Sequence, residues 1–547
     1  MTSTFTTIDY IVFALYGLVI LVVGLWVSRE KKGVHKTAQD YFLASKSLPW
    51  WAIGASLIAA NISAEQMIGM SGSGMAVGLA IASYEWMAAI TLIIVGKYFL
   101  PIFIEKGLFT IPEFIEKRFS TNLKTILATF WIALFIFVNI TSVLFLGGKA
   151  MDTILGNGDG SLIFTSVMAL ALFAAAYSLH GGLAAVAWTD VIQVALLVVG
   201  GIITSIIALD HVTPEGGILN GILHIYESAG DKFHMIIKKD NPEFMNLPGI
   251  AVLIGGLWIA NLYYWGFNQY IIQRTLAAKS LKESQRGIVF AAFLKMIIPL
   301  IVVVPGIVAW VMFSEAQGTA VMDGISNAFV KTDGSINYDK AYPWLISTFI
   351  PTGIKGLVVA ALAAAIVSSL ASMVNSTSTI FTMDIYKPYF AKKNGKDRDV
   401  RVGRISGAIA LAIGVIVAPA LGSIDQAFQY IQEYTGLVSP GILAVFMLGL
   451  FYKKANNRGA IWGILVSIPV ALSLKHQYLE LPWMDQMLYT FIITIVVIVF
   501  VSLSSNASED DPKGIVLTSS TFKTDAVYNI SAYIILLLLA VLYTIFW

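Results

Sequence analysis

The sequence predicts an all-α polytopic membrane protein, and three observations carry that prediction. The 547 residues are 57% hydrophobic and 12% charged, against about 45–50% and about 25% in soluble domains. Apolar stretches of roughly 20 residues recur from end to end, each long enough to cross a hydrocarbon core of ~30 Å. These stretches lack the alternation of a barrel strand, so their backbone groups must be satisfied within helices. Composition also sets exclusions. A formal net charge of +2 argues against nucleic acid as a partner. With no cysteine, disulfides and thiolate metal sites are excluded.

Window lengths give about fourteen spans, at 9–28, 50–75, 77–103, 123–150, 161–180, 184–209, 249–273, 285–313, 354–385, 403–421, 425–452, 460–475, 484–504 and 527–546. The first span follows an uncharged start rather than the basic start of a secretory signal, so it is expected to be retained. The longest polar connections are 210–247 and 314–353. The chain is expected to be one transmembrane domain over 1–547: a leading helix 9–28, a first repeat 50–209, a second repeat 249–452 and trailing helices 460–546.

Orientation is read from Lys and Arg in the loops. Arg29, Lys31, Lys32 and Lys36 follow the first span, and Lys106, Lys117, Arg118 and Lys124 follow the third. Arg274, Lys279, Lys282 and Arg286 follow the seventh, Lys387, Lys392, Lys393, Lys396, Arg398, Arg401 and Arg404 the ninth, and Lys453, Lys454 and Arg458 the eleventh. The opposite loops hold mainly Lys232, Lys238, Lys239, Lys331 and Lys340. The basic loops are therefore expected in the cytoplasm and both termini outside. The loop 505–525 falls inside although it carries Glu509, Asp510 and Asp511, since acidic residues weigh little in this rule.

Three spans make poor uninterrupted helices. The second reads AANISAEQMIGMSGSG, with Asn61, Glu65 and Gln66. The seventh reads GGLWIANLYYWGFNQYIIQRT, with Asn261, Asn268 and Gln269. The eleventh reads DQAFQYIQEYTGLVSPG, with Gln429, Gln432, Glu433 and Pro440. Polar residues at membrane depth are tolerated where a helix breaks and its freed groups line a cavity. Broken second and seventh spans each open a five-span block, and blocks with odd span numbers in tandem are inverted relative to each other. The plainer alternative is that these are the surface ends of ordinary helices.

Ionisable residues inside spans cost at least ~2.5–3.5 kcal/mol unless paired or hydrated. Glu85, Asp190 and Lys295 are the clear cases. Glu85 and Lys295 fit either one wet cavity or a structural ion pair. Asp190 lies nearer a span end, where snorkelling and an ion path are both open. Ser368 and Ser369 are adjacent hydroxyls in GLVVAALAAAIVSSLASMVNSTSTIFTMD. Neutral oxygens beside the freed carbonyls of a broken helix suit a monovalent cation, while serines in such helices also serve packing and back-bonding.

Longer motifs give a resemblance. YSLHGGLAAVAWTDVIQ and GLFYKKANNRGAIWG resemble conserved stretches of the solute:sodium symporter family. ASLIAANISAEQMIGMSGSG, IASYEWM, NLYYWGFNQYIIQRTLAAKS, ALAAAIVSSLASM and QAFQYIQEYTGLVSPG resemble its bacterial sodium/galactose branch, which is similar to the animal sodium/glucose cotransporters. The resemblance implies a leucine-transporter-like fold of two inverted five-helix repeats. It implies a symporter that imports a hexose such as galactose or glucose with Na+ across the plasma membrane (the bacterial inner membrane), with the lipid bilayer around it. Sugar contacts are implied at Asn61, Gln66, Glu85, Asn261, Lys295 and Gln432. Gates are implied at Tyr264 below the sugar and at Met70, Tyr84 and Phe428 above it. Sodium is implied at the Ser368 and Ser369 hydroxyls and the Ala59, Ile62 and Ala365 carbonyls, with Asp190 on its exit. Relatives carry Ser where this chain has Ala88, so one sugar contact is expected to be missing.

Rival functions fit less well. An intramembrane enzyme would need a nucleophile or metal constellation, yet there is no HExxH and the 6 histidines are scattered. A sensor would need an output module after the last span, which closes at Trp547. A sodium symporter for another solute, an amino acid or sialic acid, is the alternative. A carboxylate solute would want a cation or free helix N-termini, and an Asn/Gln/Glu set suits hydroxyls better.

Overall fold

The computed structural model describes residues 5–29, 36–156, 158–316, 328–331, 334–391, 398–421, 427–505 and 510–547, without the side chains of 427–430. Lys31, Lys32, Lys392, Lys393, Lys396, Glu509 and the side chains of Phe428 and Gln429 lie outside the described residues. Among the described residues the regular structure is helical, apart from isolated bridges at Leu48–Ala278 and Val330–Ile336.

In chain order the helices that matter here are α1 (Thr7–Val27), α2 (Ala38–Phe42), α3 (Trp50–Asn61), α4 (Glu65–Glu105), α5 (Thr121–Leu155), α6 (Ile163–Gly181), α7 (Leu183–His211), α8 (Gly256–Phe267) and α9 (Gln269–Leu276). They continue as α10 (Leu281–Ala316), α11 (Ile354–Tyr389), α12 (Asp399–Leu421), α13 (Ala427–Gly436), α14 (Ser439–Phe451), α15 (Asn457–Gln477), α16 (Trp483–Ser505) and α17 (Ala526–Ile545). Among the described residues 11 helices are long and apolar enough to cross a membrane, fewer than the fourteen spans expected. The missing ones are the second, seventh and eleventh. Each is divided into shorter pieces, and their polar and flexible residues sit at the divisions.

The first division follows Asn61, where Ile62 turns to an extended conformation (φ −78°, ψ 103°). The second falls at Asn268 (φ −83°, ψ 120°). The third separates Gly436 from Ser439. Beyond the first division α4 turns a corner at Gly78, whose φ of +75° suits only glycine.

Burial ranks the helices. In the most apolar stretch of α11, 94% of residues are buried inside the protein, against 11% for α1 and 22% for α17. The small residues of α11 permit this central place because neighbouring helices approach closely. Gly54 on α3 and Gly287 on α10 do the same for their own crossing, since a Cβ on Gly54 would stand 2.6 Å from the Gly287 carbonyl.

Contacts at the helix ends sort the loops onto two faces. Asp9 accepts the Gly353 and Gly356 amides at 2.7 and 2.8 Å, and Met235 donates to the Phe546 carbonyl at 2.7 Å. The start of α1, the sparse loops and the chain end thus share one face. On the other, Arg118 donates to the carbonyls of Gly449 at 2.9 Å and Ala455 at 2.7 Å. The acidic loop 505–525 joins this basic face through Asp511 to Arg118 at 3.4 Å and Asp525 to Arg286 at 2.7 Å. Burial pushes the Asp525 carboxyl up, but the Tyr528 amide and Arg286 outweigh it and hold the group below the usual carboxylate range.

Candidate functional site

A cavity opens where the first and second helix divisions face each other. It encloses about 790 Å³ of non-atom space, its open mouth included. Asn61 reaches it from the last turn of α3, and Gln66 from the first turn of α4. Tyr84, Glu85 and Ala88 come from α4 beyond its corner, Asn261 and Tyr264 from α8, Lys295 from α10 and Gln432 from α13. All six expected sugar contacts therefore line one cavity, and two of the expected gates line it with them. Met70 is fully buried and is not among the lining residues. The Phe428 side chain lies outside the described residues.

The polar groups are linked. Lys295 Nζ donates to Glu85 Oε2 at 2.5 Å and to Asn61 Oδ1. Asn61 Nδ2 donates to the Tyr264 hydroxyl at 3.0 Å, which also receives the Tyr270 hydroxyl at 2.7 Å. The Lys295 ammonium lies 5.1 Å from the centre of the Trp265 ring. An ammonium has three donors and a carboxylate about four acceptor positions. The set thus keeps unused donors and acceptors facing the cavity. Among the described residues Asn261 and Gln66 are engaged only locally, Asn261 with the Leu257 carbonyl at 3.2 Å and Gln66 with Ser63 at 3.3 Å.

Of the other wall residues, Glu65 and Asn268 were read only as interruptions of their spans, and Asn139, Thr435 and Ser439 were not singled out from the sequence. Glu65 accepts from Ser142 at 2.8 Å, and Asn139, Asn268, Thr435 and Ser439 add polar groups. Asn139 had a readable signal, a lone amide in the apolar run FWIALFIFVNITSVLF.

On the basic-loop side of the first division, α11 crosses the end of α3. The last carbonyls of a helix lack partners and carry its partial negative charge. The Ser369 hydroxyl meets them, donating to Ala60 O at 3.0 Å and Ile62 O at 3.5 Å. Ala59 and Ala365 are buried at 1% exposure. Ser368 donates to Asp190 Oδ1 at 2.6 Å.

Asp190 does not snorkel. It is fully buried, accepts from Ser56 at 2.5 Å and pairs with Arg274 at 3.4 Å. Arg274 also donates to Ser56 Oγ at 2.6 Å, to Ser372 Oγ and to the Tyr270 carbonyl. The sequence places Arg274 only among the loop charges. A guanidinium wholly within the protein could not be told from a loop one by spacing.

Chemically, the arrangement can exchange hydrogen bonds with a neutral, hydroxyl-rich solute, and it sets hydroxyl and carbonyl oxygens at the end of α3. No group of three or more His, Asp or Glu residues able to hold a metal occurs among the described residues.

Known proteins give the same direction. The sequence model of the sodium:solute symporter family matches residues 41–467. The chain is 63% identical over 540 residues to a sodium/glucose cotransporter of Vibrio parahaemolyticus, covering 99% of this chain and 98% of that one. It is 31% identical to sodium/glucose cotransporter 1 of Ovis aries, over 85% of this chain and 71% of the relative. A solved outward-open Na+-coupled sialic acid symporter shares the fold, with a TM-score of 0.77 at 24% identity over 91% of this chain and 98% of that one.

Proposed function

The chain belongs to the sodium:solute symporter family, and we propose that it carries a hexose such as galactose or glucose into the cell with sodium by alternating access. It is a multi-pass membrane transporter rather than an enzyme, and sodium is its coupling ion. The observation that carries the sugar reading is the cavity where Asn61, Gln66, Glu85, Asn261, Lys295 and Gln432 converge. Glu85 and Gln66 would accept hydroxyl protons, and Lys295 and Asn261 would donate. Tyr264 would close the pocket below, and Met70, Tyr84 and Phe428 above. A carboxylate solute fits less well, because the Lys295 charge is already taken by Glu85 at 2.5 Å.

Sodium is assigned to the Ser368 and Ser369 hydroxyls with carbonyls of Ala59, Ile62 and Ala365, and Asp190 is assigned to its exit. The contact of Ser369 with the end of α3 supports this. One entering ion gains ~2.3 kcal/mol per 100 mV, and a roughly tenfold gradient adds ~1.4 kcal/mol. Together they support accumulation of a neutral sugar by about 500-fold. Coupling is reciprocal, and its physical link is the first division, which carries Ile62 on the ion side and Asn61 and Gln66 on the sugar side.

The same proposal fixes topology. The short pieces α3, α8–α9 and α13–α14 complete fourteen crossings: a leading helix 9–28, inverted five-helix repeats 50–209 and 249–452, and trailing helices 460–546. The matched extended residues Ile62 and Asn268 support a leucine-transporter-like pair of repeats. The basic-loop face is cytoplasmic and both termini lie outside, in the plasma membrane. Uptake of labelled galactose, glucose, an amino acid and sialic acid into proteoliposomes tests the reading. Hexose uptake should need sodium, and Ser369→Ala should abolish the sodium dependence. Faster uptake of the amino acid or sialic acid overturns the substrate, and unchanged sodium dependence in Ser369→Ala overturns the ion site.

A further inference from the structure

We propose that the seam between α9 and α11 is the route by which sodium leaves toward the basic-loop face, with Asn375 an oxygen ligand on the way and α2 the plug that closes it. The proposal rests on the ion reading of Ser368 and Ser369 and starts where that site ends.

Along α11, Ser368, Ser372, Asn375, Thr379 and Thr382 follow one another at steps of three or four residues, which keeps them on one face. Each is at most 3% exposed. Polar groups this deep in a membrane protein are costly unless they serve a path or a partner. Part of the stripe has an ordinary explanation. Ser372 and Thr379 bond back to the Ser368 and Asn375 carbonyls, each at 2.7 Å. Asn375 has none. Among the described residues its Nδ2 and Oδ1 are both buried without a hydrogen-bond partner, as is the Thr382 hydroxyl. A dry amide unpartnered at both ends is expensive. It is accounted for if the group is wet or ligating in another state of the transport cycle.

The side chains facing this stripe belong to a movable element. Gln273 on α9 accepts from Ser376 at 2.8 Å, donates to Thr379 at 3.0 Å and reaches the Phe42 carbonyl of α2 at 2.7 Å. Arg274 donates to Ser372. Two neighbouring residues of α9 therefore bond three side chains of the seam, Ser372, Ser376 and Thr379. Asn268, extended at ψ 120°, separates α9 from α8 and supplies a hinge. Beyond the seam, Tyr41 and Phe42 form a small apolar cluster of their own with Met383 and Val400, apart from the main core. When α9 swings, Gln273 leaves Ser376, Thr379 and Phe42 together, so one movement opens the seam and releases the plug. Asn375 then offers a hard oxygen about two turns from Ser368.

The absence of cysteine lets single cysteines be placed without background. Asn375→Cys, Thr379→Cys and Thr382→Cys would be treated with a membrane-impermeant cationic methanethiosulfonate from the basic-loop side of vesicles. Val374→Cys and Ile380→Cys, on other faces of α11, serve as controls. The stripe cysteines should react faster than the controls, and sodium should slow them. Equal rates, or none, overturn the seam; if Ser369→Ala still loses sodium dependence, the ion site stands without it. Reaction that sodium does not alter, with Ser369→Ala still coupled, overturns the ion reading and this proposal with it.

Asn375→Leu separates a relay from a packing role. Loss of one ligand in the path should lower maximal uptake about tenfold, with half-saturating external sodium unchanged and Asn375→Ser restoring most of the rate. Because the amide has no partner to lose, the Leu variant should melt no lower than the parent. Full uptake in Asn375→Leu overturns the relay.

Discussion

Two buried ion pairs are alike in charge and burial and differ in their neighbours. Asp190 and Arg274 are both 0% exposed, and most of their remaining capacity is taken up by Ser56, Ser368, Ser372 and the Tyr270 carbonyl. Glu85 and Lys295 have side chains 3% and 1% exposed, share Asn61, and face a cavity. A nearly saturated network ties four helices together in this state of the protein. An unsaturated one leaves positions for a solute. The difference lies in what surrounds the charges and not in the charges themselves.

Breaking the saturated pair gives the largest expected effect. Arg274→Met leaves the Asp190 carboxylate buried and unpaired, which should lower unfolding free energy by ~3–5 kcal/mol. Unfolding in detergent measures it, and adding Asp190→Leu should recover much of the loss. A single-variant loss below about 1 kcal/mol, the scale of an exposed pair, would mean that this network is not the joint it resembles.

Glu85→Gln tests the other member of the comparison. It keeps the shape and removes the charge, and water in the cavity can hydrate the freed ammonium. Stability should change less than in Arg274→Met, while sugar binding at saturating sodium weakens by ~1.5–3 kcal/mol, the worth of a hydrogen bond to a charged group. Equilibrium titration with galactose reads the affinity. Unchanged affinity together with a large stability loss would place both pairs in the same structural class.

The contrast also marks what could be read in the sequence. Helix positions were legible because a bilayer forces long apolar runs, and the three interrupted spans were legible because clustered amides and carboxylates are rare at that depth. Convergence of Asn61, Glu85, Asn261 and Lys295 on one cavity was expected from motifs. The partner of Asp190 was not, because Arg274 follows an apolar run like any cytoplasmic arginine. Only the third dimension brings α9 back under α3 and α7. Asn139 was missed although its signal was readable: it is a single amide without the clustering that marked the interrupted spans.

The smallest expected effect concerns the cavity wall beside Glu85. Ala88 lies one helical turn from it, lines the cavity and is 2% exposed. Relatives resembled by this stretch are expected to place a hydroxyl there. If the sugar sits against this wall, Ala88→Ser adds one donor-acceptor group where a methyl now stands, worth about 0.5–1.5 kcal/mol or roughly a two- to twelvefold tightening. A water bridging the same sugar oxygen in the parent would cancel the gain, since such bridges can be nearly as good as direct bonds. Galactose titrations of parent and variant at saturating sodium separate these cases. Tighter binding puts a sugar hydroxyl within reach of this wall, beside the unsaturated pair. Equal affinity assigns the contact to water. Weaker binding would mean that the extra oxygen must itself be desolvated without a partner, so that the pocket is shaped for a sugar other than galactose.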